Sequence, residues 1–488
     1  MSDWSLVTGA LPVVALVLGA AALAGLAWGR GRRWWTRRLP LLVVLAAGTA
    51  GVATWMVNRV WRPFPDGLPA AALWWIGVPV LALGLAVVRP ARRAPSAAAH
   101  PGRSVWWSTG FATRRVGFRR VAQHAAALAA ALVVVLATAV QVNVVFGSYP
   151  TLASALGVTP PNQVVFTDVA GPAGPVAAVG RAEGRALDRS WTAPPGMPPG
   201  GVISEVAIPA PVSGFPARRG WVYLPPAYVV APRALLPVLV LISGQPGTPR
   251  DWLDGGRLAE VMDRFASAHH GLAPVVVMPD HLGRSLANPL CLDSRLGRVE
   301  TYLSVDVPGW IRSRLYVDPD PRAWAITGFS QGGTCALQMA VRAPTVYPTF
   351  VDISGQVAPT LGDPARTAAA AFGGDQSALA RVDPLTVLAR TRYPHTAAMI
   401  VAGSGDSLYR PQQQSVLAAL RAAGVNASWL ELPGGHSWQV WGPGLEQSLP
   451  WLADHLGLTA PPTSLPTPSD SSVLSPAPRL PSPTGPTR

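Results

Sequence analysis

The sequence predicts a helical membrane region followed by a doubly wound α/β domain with a mostly parallel sheet. Three observations carry that prediction: four long apolar runs before residue 150, a later series of short β-branched runs alternating with helical patterns, and a Gly-Phe-Ser-Gln-Gly segment closing one of those runs. Composition agrees with it. The 488 residues are 49% hydrophobic and 13% charged, too apolar for a purely soluble chain and too many for one ordinary domain. The formal charge of +14 is unevenly spread, because residues 1–146 hold 15 Arg against Asp3 and Asp66 while the remainder is close to neutral. The basicity therefore belongs to the apolar part, every cation is Arg, and a nucleic-acid partner is not expected. Two cysteines are too few for a disulfide scaffold or a zinc site, and no metal or cofactor is expected.

The apolar runs lie at 6–28, 39–57, 68–88 and 121–146. At about 1.5 Å per residue each is read as crossing a hydrocarbon core of about 30 Å. The first has no basic segment before it and is followed by three more, which argues against a cleaved signal peptide. Residues 30–38 carry five Arg and residues 89–120 carry eight, both without an acid, whereas the intervening loop has only Arg59, Arg62 and Asp66. By the positive-inside rule the two Arg-rich loops are cytoplasmic, and the N-terminus and everything after the fourth run lie on the outer face. Trp34, Trp35, Trp61, Trp74, Trp75, Trp106 and Trp107 sit near run ends, where indoles anchor at the headgroup level. No ionisable residue lies at mid-depth, and His124, Gln141 and Asn143 fall towards the ends of the fourth run, so a transport path has no support.

The region 1–147 is thus expected to be a four-span membrane unit. Residues 148–200, with Pro160-Pro161, Pro194-Pro195 and Pro198-Pro199, read as a partly extended connector. Residues 458–488, rich in Pro, Ser and Thr, read as a disordered tail. Between them, 201–457 has the size of a single α/β domain. Strands are expected at 203–209, 219–224, 237–242, 274–278, 323–327, 349–353, 397–402 and 428–432, with helices at 257–269, 299–315, 334–342 and 411–423.

The chemistry starts at Gly328-Phe-Ser330-Gln-Gly332, which follows an expected strand and precedes a helix expected to start near Gly333. That is the setting of a nucleophile elbow, where a sharp turn strains the Ser and flanking residues must lack a Cβ. A Ser hydroxyl needs a base within reach, and the base needs an orienting carboxylate. His436, in the loop Leu432-Pro-Gly-Gly-His436, is the candidate base; His395 precedes a strand and His455 lies near the end of the last helix. Asp406, just beyond the strand 397–402, is the candidate acid, while Asp375 and Asp383 read as a loop turn and a helix cap. An oxyanion hole is expected from the backbone N–H of Gln331 and, from the loop Ser243-Gly-Gln245-Pro246-Gly, that of Gln245, since Pro246 has no N–H to offer. Cys291 and Cys335, if joined on the oxidising side of a membrane, would pin a loop beside the nucleophile; two buried thiols are the other reading. Glu300 and Asp306 are expected to cap or flank the helix that follows Cys291.

The Gln245-Pro-Gly loop, Gly328-Phe-Ser-Gln-Gly332 and His436-Ser-Trp438 followed by Trp441 resemble the esterase branch of the α/β-hydrolases, which includes esterase D-type enzymes and secreted mycolyltransferases. The resemblance covers about 201–457. It implies a Ser nucleophile, a His base and a carboxylate at Ser330, His436 and Asp406; mycolyltransferases use Glu for the acid, and this sequence offers Asp. The expected function is a membrane-anchored serine esterase or acyltransferase, acting on acyl esters such as envelope lipids or acylated cell-wall components at the outer face of the cytoplasmic membrane. The alternative is a non-catalytic envelope binding or scaffold protein with a hydrolase-like domain.

Overall fold

The computed structural model describes residues 4–63, 67–88, 109–169, 177–182 and 185–460, with residues 109–120 as backbone. Residues 89–108, which include most of the second Arg-rich loop with Trp106 and Trp107, and residues 461–488 of the expected tail lie outside the described residues. The first apolar run folds as α1 (Ala10–Ala27), and the second as one rod, Trp34–Trp61, α-helical over α2 (Leu39–Trp55) with π-helical turns at both ends. Then come α3 (Ala72–Val87) and α4 (Thr109–Phe146). Among the described residues, three helices are long and apolar enough to cross a membrane: Ala10–Ala27, Trp34–Trp61 and Val121–Phe146.

The third run departs from its expected span. It is helical for 16 residues, which reach about 24 Å at 1.5 Å each, short of a core of about 30 Å. The cause is local. The Asn58 side chain accepts the Leu68 N–H at 2.7 Å and donates to the Leu68 carbonyl at 3.3 Å, holding the approach to α3 in a turn. The helices meet along a seam of small side chains, Ala82, Ala86, Ala127 and Ala131, around Leu26, Leu85 and Val134. Trp34 also departs from the anchor reading: it is buried in this seam beneath the Arg30 guanidinium, 4.0 Å from its ring centroid.

The eight expected strands form one sheet: β1 (Val202–Val206), β2 (Gly220–Leu224), β3 (Val238–Ile242), β4 (Val275–Met278), β5 (Trp324–Phe329), β6 (Thr349–Ile353), β7 (Ala397–Gly403) and β8 (Asn426–Leu432). Their spatial order is β8-β7-β6-β5-β3-β4-β2-β1, parallel throughout except for the antiparallel β2. β3 to β6 are buried on both faces, and β3 and β4 accordingly read as unbroken apolar runs. The helices that position the site are α5 (Leu258–Ala268), α6 (Val307–Arg314), α7 (Gln331–Arg342), α8 (Pro364–Phe372), α9 (Tyr409–Ala422) and α10 (Trp438–His455). After β3 the chain goes to β4 on one side, and after β5 to β6 on the other. The carboxyl ends of the neighbours β3 and β5 therefore flank a topological switch point, where such sheets leave a crevice.

The described residues of 148–200, read as a connector, form only short elements but are docked on the domain. The Val164 N–H donates to Ile203 and the Ile203 N–H to Asn162, so this segment covers the free edge of β1. Further along, Ala178–Val179 pairs with Arg233–Ala234, Leu187 donates to Gly457, and the buried Trp191 indole donates to the His270 carbonyl. An edge strand with unpaired groups needs a partner, and composition does not reveal which segment supplies it. The folded unit thus begins well before residue 201.

Cys291 and Cys335 are disulfide-bonded across a separation of 44 residues, tying the loop after β4 to α7. Chain entropy for a loop of that length predicts that Cys291→Ala with Cys335→Ala lowers stability by about 3 to 4 kcal/mol. Urea unfolding of the double variant beside the oxidised protein checks this; a difference under about 1 kcal/mol would mean that the reduced unfolded chain is already constrained.

Candidate active site

Ser330 sits in the turn between β5 and α7, with φ 56° and ψ −124°, a backbone conformation that L-residues seldom adopt. Close packing around it explains the glycines. A Cβ on Gly328 would run into the Gly332 carbonyl, and one on Gly332 into the carbonyls of Ile242 and Ser243 at the end of β3. The turn is held by the Ser330 N–H donating to Ile353 at 2.8 Å and by the Ser330 carbonyl accepting from Gly333 and Thr334. α7 begins at Gln331, earlier than Gly333, because the Ser330 carbonyl already accepts the first helical bonds.

Three side chains distant in the chain form one hydrogen-bonded row at the carboxyl edge of the sheet. Ser330 Oγ lies 2.8 Å from His436 Nε2, and His436 Nδ1 lies 2.9 Å from Asp406 Oδ2. A carboxylate only accepts, so Nδ1 carries the proton and Nε2 is left to accept from the Ser hydroxyl. Burial alone would raise the Asp406 pKa, but hydrogen bonds from His436 and from the Tyr409 and Leu408 N–H groups hold it below the ordinary carboxylate value. The two loops are laced together, Ser404 donating to Leu432 and Gly405 to Gly434 at 2.8 Å each, which brings acid and base side by side. His436 is clamped by Tyr409, stacked at 4.0 Å between ring centroids, and by the edge of Trp441 at 4.9 Å.

The loop after β3 approaches the same point, since a Cβ on Gly244 would lie 3.2 Å from Ser330 Cβ. Neither the Gln245 nor the Gln331 backbone N–H has an acceptor among the described residues, so both remain available to an anion. Asp375 and Asp383 lie elsewhere as N-caps, accepting the N–H groups of Ala378 and Thr386. Glu300 pairs with Arg342, and Asp306 accepts the N–H groups of Val212 and Ser213.

Several supporting residues were missed in the sequence. The Gln331 side chain accepts from His281 Nε2 at 2.6 Å, and the fully buried His281 adjoins Asp280, which pairs with Arg218 at 2.7 Å. Burial pushes the His281 pKa down to about 4, an effect only partly offset by the Gln331 bond, so the ring is neutral. Beneath the elbow, Asp352 accepts from the Gly355 N–H and the Gln413 amide, and burial pushes its pKa up to about 7. The local signals were a polar residue in the loop after a buried strand for His281 and a lone carboxylate inside an apolar strand for Asp352, and neither says which group it will meet.

Comparison with known proteins follows the same division of the chain. A family model described as "Putative esterase" matches residues 217–452. An uncharacterized protein of Corynebacterium glutamicum, Cgl0967/cg1104, is 34% identical over 460 residues, covering 91% of this chain and 95% of that protein, so its match runs through the apolar helices as well. The diacylglycerol acyltransferase/mycolyltransferase Ag85A of Mycobacterium tuberculosis is 26% identical over 190 residues, 33% of this chain and 56% of that protein. Among solved structures, a ferulic acid esterase aligns with 21% identity and a TM-score of 0.45, covering 52% of this chain and 97% of that one. An S-formylglutathione hydrolase from Agrobacterium tumefaciens aligns with 22% identity and a TM-score of 0.44, covering 53% and 96%.

The two buried groups around the elbow give opposite pH dependences. Asp352 holds a proton in the fold that the unfolded chain has lost between about pH 4 and 7, so its contribution to stability falls as pH rises across that window. His281 is deprotonated in the fold where the unfolded chain is protonated, between about pH 4 and 6.5, so its contribution rises with pH. Relative to wild type, Asp352→Asn is expected to shift the change in thermal stability between pH 4 and 6.5 towards a gain with rising pH, and His281→Asn to shift it towards a loss. Unfolding midpoints of both variants between pH 4 and 7 decide; profiles parallel to wild type would mean that neither group titrates there.

Proposed function

The chain belongs to the esterase family of α/β-hydrolases and is a serine ester hydrolase or acyltransferase; from that premise we propose that Ser330, His436 and Asp406 are its catalytic triad. The observation that carries this reading is the unbroken row from Ser330 Oγ through His436 to Asp406, at 2.8 and 2.9 Å. As His436 Nε2 takes the hydroxyl proton, Ser330 Oγ bonds to the ester carbonyl carbon, and the carbonyl oxygen becomes an oxyanion facing the N–H groups of Gln331 and Gln245. Collapse breaks the ester C–O bond, and His436 returns the proton to the departing alcohol. Water or a second alcohol then attacks the acyl-Ser330 in the same way, giving acid or a new ester. Asp406 stays ionised throughout and stabilises the imidazolium.

The domain reading goes with it: 1–147 a membrane unit whose third of four crossings is the run 68–88, the short α3 together with the residues that flank it, 148–200 a docked connector, 201–457 the catalytic domain, and 458–488 a tail. The Arg-rich loops support a cytoplasmic placement for themselves, which puts the N-terminus and the catalytic domain outside the cytoplasmic membrane. Acyl esters of the envelope, lipids or acylated wall components, are then the substrates within reach.

A fluorophosphonate probe is expected to label the wild-type protein at Ser330, and Ser330→Ala to abolish both labelling and ester turnover. Asp406→Asn, which leaves the nucleophile in place but favours the wrong imidazole tautomer, is expected to lower kcat by about 10⁴-fold. Folded protein that never labels would favour the non-catalytic binding module. Single cysteines introduced at the exposed Leu286 and Trp28 are expected to react from outside the cell and only after permeabilisation, respectively; the reverse pattern would place the catalytic domain in the cytosol.

A further inference from the structure

The membrane region touches the active-site rim at two places. The second helical rod ends at Arg62, in a left-handed turn with φ 49°, and the next carbonyl, that of Pro63, accepts from Gln245 Nε2 at 2.8 Å. The same Gln245 amide donates to the Leu286 carbonyl at 3.0 Å. Leu286 lies on the loop that Cys291 ties to α7. The β3 loop is therefore held between a helix turn of the membrane region and a loop anchored to the nucleophile's own helix.

The turn itself is seated. Arg62 Nη1 pairs with Asp363 Oδ2 at 3.1 Å, and Arg366 donates to the Arg62 carbonyl at 3.4 Å, both from the start of α8. Asn58 closes the turn from within through its two bonds to Leu68. On the other side of the site, the end of α4 meets the start of α10: Gln439 donates to the Val144 carbonyl at 3.4 Å, and a Cβ on Gly147 would lie 3.2 Å from Trp438 Cβ.

We propose that the Arg62–Pro63 turn is a positioning element for the oxyanion hole, fixing Gln245 so that its backbone N–H meets the developing charge. The inference rests on the assignment of Ser330 as nucleophile and Gln245 N–H as oxyanion donor. It gives the apolar helices a part in the ester chemistry beyond tethering. An ion pair as exposed as Arg62–Asp363 contributes little stability of its own, so its worth lies in where it holds the Pro63 carbonyl.

The test uses the full chain in nanodiscs with a water-soluble p-nitrophenyl ester. Gln245→Met keeps the backbone donor and the side-chain volume but removes both tethers. It is expected to lower kcat roughly tenfold, a part of the 10²- to 10³-fold that losing an oxyanion donor costs, with KM changed less than twofold. Fluorophosphonate labelling of Ser330 should still reach full stoichiometry, which reports that the domain is folded. Arg62→Ala should lower kcat about threefold, Arg62→Lys should recover most of it, and Gln245→Met with Arg62→Ala together should be no slower than Gln245→Met alone, because both act through one tether. A wild-type kcat for Gln245→Met, or losses that multiply in the double variant, would overturn the proposal. If Gln245→Met fails to label, the Arg62→Ala and Arg62→Lys pair decides alone: no loss with Ala, or none recovered with Lys, overturns it. Wild-type protein that forms no adduct at Ser330 would instead bring down the catalytic reading itself.

Discussion

Everything at the carboxyl edge of this sheet is organised by one close approach, that of the turn carrying Ser330 to the end of β3. The turn can exist only because Gly332 and Gly244 leave no Cβ between the two segments and Gly328 leaves none within the turn itself. Its strained dihedrals are sustained by packing and by the Ile353 and Ser330 backbone bonds on either side. The reward for that strain is geometric. The hydroxyl stands out of the sheet at the switch point, the N-terminus of α7 lies directly behind it, and the β3 loop offers its amide from the facing side.

Around this turn the titratable groups divide by environment into those that stay charged and those that stay neutral. Asp406 receives three hydrogen bonds and remains ionised beside an imidazole that it orients. His281 is wholly buried with one acceptor, Gln331 Oε1, and remains neutral, so it holds Gln331 without adding charge beside Ser330. Asp280 could have charged that ring, but it is already engaged by Arg218. A neutral imidazole and a paired carboxylate thus support the elbow from below without competing electrostatically with the row above it.

The catalytic domain was largely legible in the sequence because its central strands are buried on both faces, which favours continuous apolar runs such as 238–242 and 275–278. Ser330, Asp406 and His436 were legible because each sits in a loop directly after a recognisable strand. What escaped was set by contacts between distant segments. Nothing in the composition of 160–200 says that Asn162 and Val164 will pair with Ile203, and nothing near Leu68 says that Asn58 will reach across and delay α3. Tyr409 and Gln331 look like ordinary first-turn helix residues until the chain brings His436 and His281 against them.

The contacts between the membrane region and the α/β domain are placed selectively. A domain that needed only a tether could be held by any flexible linker, and its contacts with the membrane region would then fall anywhere on its surface. Here they fall on Gln245, on Asp363 and Arg366 at the start of α8, and on Trp438 with Gln439, so that two of the three adjoin Ser330 and His436. They use backbone carbonyls at helix ends, groups that must find donors in any case once the helical ladder stops. The unsatisfied ends of apolar helices and the rim of the catalytic crevice therefore complete one another's hydrogen bonding.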